Sequence, residues 1–174
     1  CLYYFQINQA KEKQFENLNQ ENGTTLFMFL LTSLGILLSR YSNQEDIVIG
    51  TPIANRRRKE LESLIGFFAN SLPLRLNLDN NLNFLQFLTQ VKQTTLDAYE
   101  NQDIPFEKLV EELQPERSLS YHPLFQVMLV LNNTPQNLKQ ITDLDISLYH
   151  PEDNQLQTAK FDLLLYVEAK EDSL

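Results

Sequence analysis

The chain has 174 residues, of which 43% are hydrophobic and 21% charged, and this composition is typical of a folded globular domain and not of a disordered segment. Its formal net charge of −9 argues against a nucleic-acid-binding surface, because the one dense basic run is the short segment 56–59. The single cysteine, Cys1, excludes an internal disulfide and a cysteine metal cluster and favours a reducing compartment.

The first predicted elements are a strand and two helices. Residues 1–7 are rich in aromatic and β-favouring side chains, and we expect this abrupt strand-like start to be a cut through a larger protein. Residues 9–22 predict a surface helix that ends at Gly23. Residues 26–41 predict a helix capped by Thr24 or Thr25. We expect this helix to be buried in the protein, because its apolar run is shorter than the roughly 20 residues that a membrane span needs.

Two strands and a connection are predicted next. Residues 46–51 contain an unbroken apolar run and indicate an interior strand, and residues 55–64 a polar loop or short helix. The basic run 56–59 within it suits either a solvated loop or a site for a phosphate or an acidic partner. After Gly66 the chain alternates between leucines and polar side chains, which predicts a half-buried strand over residues 67–78.

The second half predicts two more helices and three more strands. A long helix is expected over residues 82–100, capped from residues 79–81, and a second helix runs from Pro105 in its first turn to residue 114. Residues 125–131 indicate a buried strand, and residues 144–148 and 161–167 one-sided strands. The predicted class is α/β, in the two-layer α+β sense, with a mixed sheet covered by helices.

The sequence contains little recognisable catalytic chemistry. Its four glycines do not form a phosphate-binding loop, and no nucleophile elbow occurs. Neither His122 nor His150 has a carboxylate at metal-ligand spacing, so we assign no catalytic residue and no metal ligand.

Four polar residues each have a functional and a structural interpretation. Asp103 and Glu107 are four residues apart at a helix start, where they form a site or merely cap the helix. Arg75 on the polar face of the central strand orients a substrate or forms a solvated salt bridge. His122 takes part in catalysis or is a loop histidine bonded to nearby backbone.

Six segments of the chain form an ordered set of motifs: TLFM at 25–28, DIVIGTPIA at 46–54, IGFFANSL at 65–72, NQDIPFE at 101–107, RSLSYHPL at 117–124 and KFDL at 160–163. Taken in this order, they resemble motifs of the C-terminal half of a condensation domain from a nonribosomal peptide synthetase, a family built from two chloramphenicol-acetyltransferase-like halves. The resemblance covers nearly the whole chain. Departures from the family pattern fall at Asn55, Ala69, Ser118, Tyr121 and His122.

The resemblance implies that residues 1–174 are a C-terminal subdomain whose N-terminal partner is absent. The family's catalytic His-His-x-x-x-Asp-Gly motif has no match here, so the fragment alone is expected to be inactive. The resemblance further implies that the chain forms one wall of a tunnel entered by the phosphopantetheine arms of carrier proteins. The tunnel-lining candidates are Asn70, Ser71, Arg75, Asp103, Pro105, Glu107, Arg117 and His122.

The implied partners are the N-terminal subdomain, peptidyl and aminoacyl carrier proteins and an adjacent adenylation domain, in the cytoplasm, with no directly bound cofactor, no nucleic acid and no membrane. Two alternatives stay open. One is a non-catalytic module that docks carrier proteins, and the other is an epimerisation or heterocyclisation sibling with the same architecture. We further expect strands 67–78 and 125–131 to share a sheet, with helix 26–41 packed on it.

Overall fold

The architecture is a mixed sheet with helices packed on it. A computed structural model describes residues 2–56, 58–79, 81–116, 118, 121–132 and 159–168. Within them the elements, in chain order, are α1 Gln9–Asn22, α2 Leu26–Ser42, β1 Asp46–Ile53, α3 Lys59–Glu62, β2 Asn70–Asn77, α4 Phe84–Glu100, α5 Phe106–Leu113, β3 Val127–Asn132 and β4 Leu163–Glu168. The predicted α/β class is therefore confirmed.

The four described strands form one sheet in the order β2-β1-β3-β4. β1 is antiparallel to β2 along its whole length, from Asp46 opposite Asn77 to Ile53 opposite Asn70. β1 is parallel to β3, and β3 is parallel to β4. The interior position predicted for β1 is correct, and β2 and β3 share a sheet as expected.

One face of this sheet and two helices enclose the hydrophobic core. Because side chains alternate along a strand, the leucines of β2 that the alternation singled out point to the same side as Ile47 and Ile49 of β1. The buried cluster also includes Phe27, Leu30, Leu31 and Leu34 of α2, Phe87 and Val91 of α4, Leu74 and Leu76 of β2, and Leu129 of β3. This confirms that helix 26–41 packs on the sheet.

The opposite face of β1 is covered at Gly50 by an aromatic ring. A Cβ atom built on Gly50 would lie 2.2 Å from Cε2 of Phe125 and 2.4 Å from its Cζ. Phe125 is fully buried. The absence of a side chain at Gly50 therefore lets this ring pack directly on the β1 backbone.

The helix ends follow the sequence signals in part. Gly23 ends α1 in the left-handed conformation with φ 59°, and the Thr25 hydroxyl accepts a hydrogen bond from the Met28 N–H at 3.3 Å, as expected. The cap of α4 differs from the prediction, because the N-cap residue is Asn83, which forms a reciprocal capping box with Gln86.

Two predicted strands need revision, and a third is not tested. Residues 2–7 form no strand, and the strand expected from residue 67 begins only at Asn70. The strand expected at 144–148 lies outside the described residues. In the described part of the chain no single helix is long and apolar enough to cross a membrane; α1 and α2 reach that length and composition only together, with a bend of 103° between them.

Candidate functional site

Asn70, the first residue of β2, connects two of the motif segments, 65–72 and 101–107. Its Nδ2 donates hydrogen bonds to the carbonyl oxygens of Gln102 at 3.1 Å and Ile104 at 2.8 Å. Its Oδ1 accepts a hydrogen bond at 3.0 Å from the N–H of Phe106, the first residue of α5. One side chain therefore fixes the loop between α4 and α5 against the start of β2.

These bonds correct the predicted start of α5. Pro105 is the N-cap residue, with extended backbone and no side-chain cap, and does not occupy the first helical turn. The acceptor for the first amide of the helix comes from Asn70, a residue that the sequence pattern did not indicate as a cap. Asp103, Pro105 and Glu107 are all exposed, and they lie on the segment that Asn70 holds.

Arg56 organises the connection between β1 and β2. Its guanidinium donates to the carbonyl oxygens of Leu61, Leu64 at 2.9 Å and Gly66 at 3.2 Å. The same group lies 4.3 Å from the ring centroid of Phe68, a cation–π contact. Arg56 thus binds its own chain, which fits neither of the two interpretations of the basic run, a solvated loop or a site for an anionic partner.

This connection carries an exposed apolar tip, which we define as Leu64, Ile65 and Phe67. Phe67 is 94% exposed and Ile65 fully exposed, whereas Leu64 is about half exposed. The tip lies just before β2 and Asn70. Apolar side chains that project so far from a folded core are a typical feature of contact surfaces.

Four aromatic rings from three segments of the chain form a cluster that includes the first residue of α5. The His122 ring lies 4.2 Å from Phe125, 5.1 Å from Phe106 and 5.5 Å from Phe161, measured between centroids. Phe106 also packs edge-to-face on Phe125 at 5.7 Å. The cluster therefore links α5 to the segments that precede β3 and β4.

The imidazole of His122 is desolvated by these neighbours. Its Nδ1 is buried and has no hydrogen-bond partner in the described part of the chain, and burial lowers the pKa of His122 below its usual value. The backbone carbonyl of His122 accepts a hydrogen bond from Nε2 of Gln126 at 3.1 Å. This bond comes from a side chain and reaches the main chain of His122, so it is not the expected bond between the imidazole and nearby backbone. The ring instead packs as an aromatic group.

Arg75 lies towards the other end of β2, roughly 17 Å along the strand from Asn70. Its Nε and one terminal nitrogen bind the two carboxylate oxygens of Asp46 at 2.9 and 2.7 Å. The hydrogen bond from Arg75 lowers the pKa of Asp46, and both side chains are largely exposed. The structure matches the salt-bridge interpretation and separates Arg75 from the other candidates.

The remaining candidates divide as follows. Ser71 is half-buried and follows Asn70 in β2, whereas Arg117 lies outside the described residues. Across the ranges described, no three side chains of His, Cys, Asp or Glu are placed to hold a metal ion. Sequence patterns predicted the segments but missed the bonds of Asn70 and Arg56, because bonds from a side chain to irregular backbone leave no periodic pattern in the sequence.

The sequence of this chain was compared with protein-family models and with known proteins, and both comparisons found similar sequences. A family model described as "Condensation domain" matches residues 3–174. A linear gramicidin synthase polypeptide of Brevibacillus parabrevis is 48% identical over 174 residues, which are 100% of this chain and 3% of that protein. A plipastatin synthase polypeptide of Bacillus subtilis (strain 168) is 43% identical over 94% of this chain and 6% of its own length. The chain thus spans only a small part of these relatives.

Several solved structures have a fold similar to that of this chain. A four-domain nonribosomal peptide synthetase bound to AMP and glycine matches with a TM-score of 0.74 and 28% identity, over 76% of this chain and 10% of that one. The condensation domain of the Monacolin K polyketide synthase matches with a TM-score of 0.66 and 25% identity, over 74% of this chain and 30% of that one. Both similarities extend over most of this chain.

Proposed function

The chain belongs to the condensation-domain family, and we propose that it is the C-terminal half of such a domain in a nonribosomal peptide synthetase. In this proposal it forms one wall of the tunnel in which an amide bond is made between two carrier-bound substrates. Each substrate is attached to the phosphopantetheine arm of a carrier protein, which delivers it to the tunnel. We further propose that an adenylation domain lies beside it in the same synthetase. The proposed location of the protein is the cytoplasm, which the cysteine content favours.

The observation that carries this proposal is the set of hydrogen bonds made by the Asn70 side chain. The segments resembling two successive family motifs, 65–72 and 101–107, are far apart in the chain but are held together by three hydrogen bonds of one side chain. The aromatic cluster adds His122, from the segment resembling a third motif, through its contact with Phe106. Six of the eight tunnel-lining candidates are described residues on the segments that the Asn70 bonds and this ring contact connect; they are Asn70, Ser71, Asp103, Pro105, Glu107 and His122.

The proposed reaction is acyl transfer from a thioester to an amine. The amine nitrogen attacks the thioester carbonyl carbon, the C–N bond forms, the C–S bond breaks, and the thiol leaves with the proton that the amine loses. Holding the two groups at contact distance supplies a large part of the rate acceleration in such reactions. In our proposal this half contributes the shape of the tunnel, and the histidine motif of the other half contributes proton transfer.

The experiment compares three proteins: the 174-residue chain, the same chain rejoined to an N-terminal half, and the rejoined domain with its histidine motif mutated. Product formed from aminoacyl and peptidyl carrier proteins is measured by mass spectrometry. We expect turnover from the rejoined domain alone. Turnover by the isolated chain above the uncatalysed rate would contradict the assignment of this half to the tunnel wall.

A further inference from the structure

We propose that Asn70 is a positioning residue for this reaction, an inference that rests on the proposed function. Its side chain sets the position of residues 102–106, and with them the start of α5, relative to the sheet. The side chain contributes through the groups that it holds in place, without contacting substrate.

The first argument is that Asn70 is fully engaged. An asparagine amide has two N–H donors, and both are used, on the carbonyls of Gln102 and Ile104. Its oxygen accepts from the Phe106 N–H. Few other side chains offer two donors and an acceptor at this reach, because aspartate lacks the donors and alanine lacks all three groups.

The second argument is that α5 has little else to hold it. None of its eight residues, 106–113, is buried. Within the described residues, the hydrogen bonds of Asn70 and the packing of the Phe106 ring in the aromatic cluster connect the start of α5 to the rest of the fold. β2, by contrast, is held on its core face by Leu72, Leu74 and Leu76, so Asn70 anchors a weakly held element to a firmly held one.

The third argument concerns what moves with this segment. Asp103 lies between two of the residues bonded to Asn70, and Glu107 directly follows the third. Both are exposed, and Phe106 carries the contact to His122. A shift of about 1 Å in such a segment is enough to lower a rate on the order of a hundredfold when the site depends on positioning.

The test uses the intact condensation domain that contains this chain, with the variants Asn70→Ala and Asn70→Asp. Gln90→Ala is the matched control, because the Gln90 side-chain amide in α4 also donates a hydrogen bond to a backbone carbonyl. Its acceptor is Asn77 at 3.0 Å, at the opposite end of β2 from Asn70. Amide hydrogen exchange, thermal unfolding, and kcat and KM for the carrier-bound acceptor are measured for all three.

We expect Asn70→Ala to increase exchange about tenfold in residues 102–109, which corresponds to the loss of about 1.4 kcal/mol of local stability. We expect kcat to fall at least tenfold with little change in KM, while the melting temperature stays close to that of Gln90→Ala. Unchanged exchange at 102–109 would overturn the proposal, and so would raised exchange with normal kcat.

Asn70→Asp adds a readout that a general loss of stability would not produce. The new carboxylate keeps an acceptor for the Phe106 N–H but faces two carbonyl oxygens, which raise its pKa. Protonation restores one donor, so kcat and exchange protection of this variant should recover as the pH is lowered, relative to wild type. If the ratio of kcat in Asn70→Asp to kcat in wild type does not change with pH, the proposal is contradicted. If wild type itself shows no turnover, the proposed function fails, whereas the exchange data still decide whether Asn70 positions α5.

Discussion

At the scale of single residues, His122 illustrates how packing overrides the ordinary chemistry of a side chain. Its ring is surrounded by Phe106, Phe125 and Phe161, and its buried Nδ1 lacks a partner within the described residues. A neutral imidazole tolerates this environment better than a charged one, which is why burial lowers the pKa of His122. The residue is therefore better suited to structure than to accepting a proton at neutral pH.

The pKa of His122 predicts a specific pH dependence of stability. The unfolded chain takes up the proton near the ordinary pKa of 6.5, and the folded chain only at lower pH. Between these values the unfolded state binds more protons, so stability is lost as the pH falls. We expect the free energy of unfolding to decrease more between about pH 7.5 and about pH 5.5 in wild type than in His122→Phe.

Urea unfolding at both pH values measures this difference in the intact domain. His122→Phe keeps an aromatic ring in the cluster and removes the titrating group, so it serves as its own packing control. Equal slopes for the two proteins would show that His122 does not titrate differently on folding.

At the scale of elements, β1 depends on the contact between Gly50 and Phe125. We expect Gly50→Ala to destabilise the protein by about 1–3 kcal/mol or more, because three atoms of a fully buried ring would lie within 2.5 Å of the new methyl group. Chemical denaturation of the intact domain measures the effect.

Gly35→Ala is the matched control for this prediction. A Cβ atom at Gly35 meets the end of the Leu76 side chain at 2.7 Å, and that flexible end can move. Alanine also favours the helical conformation of α2 by up to about 1 kcal/mol relative to glycine. We therefore expect a smaller loss from Gly35→Ala, and an equal loss would contradict the special role of the Phe125 contact.

The elements show which parts of the fold the sequence could predict. Periodicity predicted α2 and the alternation of β2, because one-sided burial leaves a regular pattern. It failed at residues 2–7, since β propensity alone does not provide a neighbouring strand. The start of α5 was also mispredicted, because its first amide is capped by a side chain from another element. Local patterns contain no information about such a distant partner.

At the scale of the whole molecule, the exposed apolar tip predicts self-association. Ile65 and Phe67 project from the connection that Arg56 holds, and nothing in the described residues covers them. We expect the isolated chain to associate, and the double variant Ile65→Ser with Phe67→Ser to weaken association about tenfold through loss of buried apolar area. Analytical ultracentrifugation over a concentration series measures this.

Tyr41→Ser is the control for the tip. Tyr41 is 87% exposed but lies near the end of α2, close to the start of β1 and therefore at the opposite end of that strand from the tip. Its substitution should leave association unchanged. If both variants weaken association equally, the tip has no special role. Circular dichroism verifies that each variant remains folded.

The order of strands in the sheet differs from their order in the chain, and this difference has a consequence during synthesis. β1 pairs with β2, its next strand in the chain, but its other neighbour is β3, which follows α4 and α5. While the chain is being made, β1 and β2 with α2 are complete before β3 has emerged, and β1 exposes a row of unpaired backbone groups. Such an open edge pairs readily with other chains. The nascent chain is therefore most prone to misassembly in the interval before β3 is added, and a delay in translation there would lower the yield of folded protein.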